Sequence, residues 1–152
     1  MTKLEDLEAR IQKLAEGGSP DPFRTFIMEI IHESRILVEK EFSRNIPAFV
    51  LHISMETQEY RRFIVDVLDL RPETSSNIAN SAKTRDGVTY IVVGLYHLLP
   101  ELDRGGVQNF VTRLSNVLIH ELIHLANPSL AEFQIKPINA SITDRYLETK
   151  VH

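Results

Sequence analysis

Between Asn116 and Ala126 the chain places Val117, Leu118, Ile119, Leu122, Ile123 and Leu125 on nearly every side of a helical repeat, and sets His120, Glu121 and His124 among them. A helix that is apolar all round is a buried helix. Two histidines and a glutamate inside one are costly unless something pairs them. The spacing supplies an answer. Residues four apart lie on one face, one turn from each other. His120 and His124 can therefore grip one metal ion, with the Glu121 carboxylate left free to act beside it. The competing account is two core histidines bonded to backbone and a surface glutamate. A bare H-E-x-x-H pattern arises by chance in roughly two per hundred chains of this composition, so the apolar context carries much of the weight.

Composition narrows the donors. The chain has 152 residues and no cysteine, which removes thiolate ligands, disulfides and a cysteine nucleophile together. Any metal must be held by histidine and carboxylate. The length suits one domain with a sizeable core. The net charge is −4, with no basic block, so nothing recommends a nucleic-acid partner. No apolar run is long enough to span a membrane, and the N-terminal segment reads as a charged helix rather than a signal peptide, so cytoplasm is the expected location.

His120 to His124 with its bulky apolar flanks resembles the active-site helix of the zincin metallopeptidases, most nearly their small glutamate-liganded members, the minimal gluzincins. The resemblance runs from the hairpin near Asp86 to the C-terminus and is specific only in this helix. The metzincin pattern H-E-x-x-H-x-x-G-x-x-H does not continue here: Asn127 stands at the glycine and Leu130 at the third histidine. Peptide deformylases share H-E-x-x-H but require a cysteine ligand. The resemblance implies a zinc ion (Zn2+) on His120 and His124, a peptide or protein substrate, and hydrolysis with Glu121 as general base on a zinc-bound water. It also implies an edge strand above the metal that pairs with extended substrate. Tyr96, His97 and Tyr146 are candidate donors to the oxyanion.

Catalytic zinc usually takes a third protein ligand. Glu132 lies eight residues past His124, on a helix expected from Ser129 onward, although Ser129-x-x-Glu132 also reads as a capping box. Asp144 has the spacing at which thermolysin-like gluzincins carry their glutamate. Glu148 has the right chemistry at a longer spacing. Asp144 and Glu148 share a face opposite Ile135, Ile138 and Ile142 if the helix is continuous, and Pro137 is placed to break it. Glu132 is the preferred ligand.

The rest of the chain reads as an α+β fold, zincin-like, with helices flanking a short, mostly antiparallel sheet. Leu4, Leu7, Ile11 and Leu14 form an apolar stripe on an N-terminal helix over residues 1–16, with Thr2 and Glu5 as a capping box. That helix docks on its own domain, covers the active site, or makes a homodimer contact. Residues 17–22 read as a linker, with Asp21 and Pro22 opening the next helix, and residues 23–152 as the zincin-like domain. Pro47 to Ser54 reads as a strand and Glu56 to Leu70 as a helix ended by Pro72. Thr74 to Asn77 reads as loop. A hairpin follows, Ile78 to Arg85 and Val88 to Gly94, around a two-residue Asp86-Gly87 turn. The metal helix spans 106–126 and stops at Asn127-Pro128.

Two rival functions remain. One is a latent or non-proteolytic zincin fold held shut by the N-terminal helix. The other is a di-iron carboxylate protein, because Glu29-Ile30-Ile31-His32 echoes Glu121-x-x-His124. The strand signals oppose the second, and it leaves His120 unexplained. His52, on the first strand, is read as a packed strand histidine.

Overall fold

The computed structural model describes residues 3–17 and 20–151. Among them are six α-helices and one three-stranded sheet, an α+β arrangement that is mostly helical. The helices are α1 (Lys3–Gly17), α2 (Pro20–Phe42), α3 (Thr57–Arg62), α4 (Leu99–Arg104), α5 (Gly106–Ala126) and α6 (Glu132–Val151). The strands are β1 (Val50–Ser54), β2 (Ala79–Lys83) and β3 (Thr89–Gly94). No helix among the described residues is long and apolar enough to cross a membrane.

Period-two alternation divides the core between the two faces of the sheet. Leu51, Ile53, Ile91 and Val93 point to the helical layer, where they join Phe23, Ile27, Ile31, Leu114, Leu118 and Leu122. Val92 points the other way, into a smaller cluster with Tyr60, Ile64 and Leu68. β3 is the central strand, and its Ile91, Val92 and Val93 are fully buried.

The sheet order is β1-β3-β2, with β1 parallel and β2 antiparallel to β3. The sheet is thus mixed, where mostly antiparallel pairing was expected. The long β1–β2 connection through α3 returns the chain so that β3 enters between its predecessors. The hairpin also differs. Thr84 N donates to Val88 O at 2.8 Å and Gly87 N to Thr84 O at 3.0 Å, enclosing Arg85, Asp86 and Gly87. Gly87 has φ +89°. This is the three-residue loop in which a left-handed glycine follows a tight turn, not the expected two-residue form.

The expected helix Glu56–Leu70 is α3 followed by a π-helical turn at Phe63–Val67, where Leu68 N reaches Phe63 O at 3.2 Å. Pro72–Ser76, expected as loop, is a short 3-10 turn. Thr74, Ser75 and Ser76 each donate a hydroxyl to the carbonyl three residues back, the local bonding that draws these residue types out of longer helices.

Thr2, Gly18 and Ser19, and the side chains of Leu4 and Leu7, lie outside the described residues. Ile11 is fully buried in the main core. Arg10 makes a two-pronged ion pair with Glu29 at 2.8 and 2.9 Å and lies over the Phe26 ring. Pro20 to Pro22, expected in the linker, belong to the first turn of α2, where prolines forfeit no helical hydrogen bond.

Candidate metal centre

Helix α5 occupies the span expected for the H-E-x-x-H helix, Gly106–Ala126. Its Leu114, Leu118, Ile119, Leu122 and Ile123 are fully buried. That packing leaves His120 and His124 half-buried on the side facing β2 and the start of α6. Their rings meet edge to face, with centroids 4.6 Å apart.

After α5 the chain turns tightly. Asn127 N bonds Ile123 O at 2.9 Å, and Ser129 Oγ donates to Asn127 Oδ1 at 2.8 Å. The expected Ser129–Glu132 capping box is therefore not made. Gln134 Oε1 accepts from Ala131 N instead, at 2.9 Å, and the helix begins at Glu132 rather than Ser129. Glu132, freed from capping, sits at the helix N-terminus, where the backbone dipole favours an anion. Its Oε2 is 2.8 Å from His120 Nε2 and its Oε1 is 2.8 Å from His124 Nε2. His120, His124 and Glu132 bring one ligand atom each within 4.8 Å of one another.

These donors fit a zinc ion chemically: two imidazole nitrogens and a carboxylate oxygen, with no competing cation among them. Ligands of tetrahedral zinc stand about 3.3 Å apart, slightly further than the 2.8 Å seen here. The Glu132 side chain is 70% exposed and free to back away by that difference.

Glu121 is held on the inner side. The residue is 6% exposed. Its Oε2 is 2.9 Å from His120 Nδ1, so His120 presents one nitrogen to Glu121 and the other to Glu132, an orienting contact common behind metal-bound histidines. The second oxygen of Glu121, Oε1, accepts from Ser81 Oγ at 2.8 Å. Ser81 pairs with Ile91 and so points into the helical layer, while Asn80, opposite Val92, points away. Asn80 Nδ2 bonds Tyr60 Oη at 2.8 Å and Thr74 O at 3.0 Å, and Tyr60 Oη donates to Asn77 O at 3.0 Å. This network pins the start of β2.

Electrostatics follow the contacts. The hydrogen bond to Glu121, reinforced by Glu132, raises the His120 pKa to about 9 against the opposing effect of burial. The Glu132 carboxyl is lowered chiefly by its hydrogen bond to His120. Burial raises the Tyr60 phenol.

A groove of about 910 Å³ runs between the outer side of β2 and helices α5 and α6, and His120, Glu121, His124 and Glu132 line it. β2 pairs only with β3, so its outer edge is unpaired within the sheet. None of the described residues of α1 lines the groove.

Other expected site residues lie elsewhere. Asp144 and Glu148 are exposed on α6, away from the ligand group. α6 runs unbroken through Pro137, which keeps them opposite the buried Ile135 and Ile142. Tyr96 and His97 bond Ser75 O, and Tyr146 is buried beneath Lys150; none of the three lines the groove. Glu29 is paired with Arg10 and His32 is exposed. His52 stacks on Phe63 at 3.8 Å on the far edge of the sheet. Sequence reasoning missed Ser81, Asn116 and Asn139. The signal for Asn116 was present, since it lies four residues before His120. Ser81 needed the strand register.

No family model, no curated protein and no solved structure matches this chain.

Proposed function

We propose that the chain is a small zincin-like zinc metallopeptidase that hydrolyses peptide bonds in a substrate lying along β2. The observation that carries this reading is the convergence of His120 Nε2, His124 Nε2 and the Glu132 carboxylate beside an unpaired strand edge. His120, His124 and Glu132 would hold the metal. Bound there, a divalent ion would lower the pKa of water and polarise a carbonyl.

The chain's own residues would do the rest. An extended peptide adds to the free edge of β2 through main-chain hydrogen bonds, a recurrent mode of peptide recognition. Glu121 takes a proton from the attacking water at a carboxylate oxygen and passes it to the leaving amine. Ser81 and His120 hold that carboxylate. Each of its oxygens carries one of these bonds and keeps a second lone pair for the water.

The test is zinc content by elemental mass spectrometry, together with cleavage of an unfolded protein. Wild type should bind one zinc. His120→Ala and Glu132→Ala should lose it, while Asp144→Asn and Glu148→Gln keep it. Glu121→Gln should keep zinc and lose turnover. Absence of zinc after supply, or full activity in Glu121→Gln, refutes the reading.

A further inference from the structure

Two asparagines in the wall of the groove serve no purpose in the centre described above. Asn116 lies one turn before His120 on α5, and Asn139 two turns beyond Glu132 on α6. Both line the groove. A third side chain, Thr143, joins them: Asn116 Nδ2 donates to Thr143 Oγ1 at 3.5 Å, and Thr143 Oγ1 donates to Asn139 Oδ1 at 3.1 Å. Asn139 is 6% exposed and Thr143 3%. Three polar side chains in a helix–helix contact forgo apolar packing and must be desolvated, so a purely structural relay would bond both ends of each amide inside the protein.

This one does not. A hydroxyl has a single proton. Given to Asn139, it turns the oxygen of that amide inward and leaves Nδ2 as the free end. Asn116 is engaged through its nitrogen and leaves Oδ1 free. Among the described residues neither free end has a protein partner, and no buried side-chain polar atom is left without one. The two free ends therefore open into the groove. They present one donor and one acceptor, joined through the same hydroxyl.

We propose that Asn116 and Asn139 form an amide-recognition subsite. An amide carbonyl accepts from Asn139 Nδ2 while the amide N–H donates to Asn116 Oδ1. A carboxylate, which only accepts, would set an oxygen against Asn116 Oδ1. An ammonium would leave Asn139 without an acceptor. The ligand is either the carboxamide of an Asn or Gln side chain or a peptide group of the bound chain. Asn116 is about 6 Å along α5 from His120, the span of two residues of extended peptide. As a substrate subsite this rests on the peptidase reading; as an amide site it does not.

The first experiment is therefore independent of turnover. The side-chain amide resonances of Asn116 and Asn139 are followed in 15N-labelled full-length chain during titration with propionamide, N-methylacetamide and sodium propionate. Saturable shifts with propionamide but not propionate support the site and assign it to side-chain carboxamides. Saturation with N-methylacetamide alone assigns it to the peptide group. No saturation with either amide, or equal response to propionate, overturns the proposal. The second experiment compares cleavage of peptides differing only in Gln or Glu at each position. A side-chain site predicts about 10-fold preference for Gln at one position. Asn139→Asp, which keeps the side-chain volume and the bond to Thr143 but replaces the donor, should abolish that preference with zinc content unchanged. If no peptide is cleaved while the amides still bind, the peptidase reading fails and the subsite stands.

Discussion

Replacing Ser81 with alanine removes one hydroxyl from a half-buried strand position and tests whether β2 holds the Glu121 carboxylate. Glu121 has an 8% exposed side chain, so water cannot readily replace the lost donor. Of its two carboxylate oxygens, Oε1 depends on Ser81 Oγ at 2.8 Å and Oε2 faces His120 at 2.9 Å. A hydrogen bond to a charged group contributes about 1.5–3 kcal/mol. Alanine costs little else here, because Ser81 makes no other side-chain hydrogen bond among the described residues. Ser81→Ala should therefore destabilise the chain by about 1.5–3 kcal/mol. For a domain of this size that lowers Tm by roughly 3–12 °C. The assay is urea unfolding of the zinc-free protein, run as a double-mutant cycle with Glu121→Gln. A coupling of about 1 kcal/mol or more is expected between these contacting residues. On the proposed peptidase reading, kcat of the zinc-loaded chain should fall about 10-fold with zinc retained. A loss below about 0.5 kcal/mol with additive single changes would refute the contact, since it would mean that the carboxylate does not depend on the strand.

Raising pH should destabilise the zinc-free chain: the folded His120 pKa of about 9 exceeds its unfolded value of 6.5, so the contribution is complete below pH 6.5 and lost as pH rises through 9. After discounting for solvent around the half-buried ring, urea unfolding at pH 6 and pH 9.5 should differ by about 2 kcal/mol, and bound zinc, which needs the neutral imidazole, should remove the difference. Gly94→Ala places a Cβ 2.8 Å from the Tyr60 ring and 3.1 Å from Tyr96; Tyr60 is fully buried and cannot retreat, so thermal unfolding should show a loss of about 1–3 kcal/mol. Ile11→Ala should cost about 2–5 kcal/mol, because Ile11 is part of the main core. Deleting α1 should lower stability without raising peptidase activity; activity that appears only on deletion would establish the latent reading instead.

Helix α5 was the most legible element because burial and the H-E-x-x-H spacing left the same mark on it. An all-round apolar repeat fixed its span, and the i, i+4 histidines fixed the face that faces the groove. α6 was half legible. Its inward stripe of Ile135, Ile138 and Ile142 packs on the core, Ile138 only partly buried, but its start was not read, because Ser129 and Gln134 each offer a local cap and only the geometry of the turn decides between them. β2 was legible as the first arm of the hairpin, expected at Ile78 to Arg85 and found at Ala79–Lys83, but its place at the sheet edge was not. Its sequence, Ala-Asn-Ser-Ala-Lys, has little strand propensity, and it is tied from outside by Tyr60 and Thr74. The central position of β3 depends on a crossover whose path no local pattern encodes. That is why Ser81 could not be placed over Glu121 before the register was known.

The charges at the centre argue for a cation more strongly than the spacing of the histidines does. Glu121 and Glu132 flank His120 on its two nitrogens, at 2.9 and 2.8 Å. Two carboxylates brought this close to one ring oppose each other unless positive charge stands between them. A proton on His120 supplies one unit, which is why its pKa rises. A divalent ion bound to the Nε2 atoms and Glu132 would supply two, and would leave His120 neutral with its remaining N–H directed at Glu121. Proton and metal therefore compete for the same electrostatic role. Zinc binding should release protons below pH 9, with the release measured directly in a weakly buffered titration. Zinc uptake with no proton release at pH 7 would show that the ion binds elsewhere than at His120.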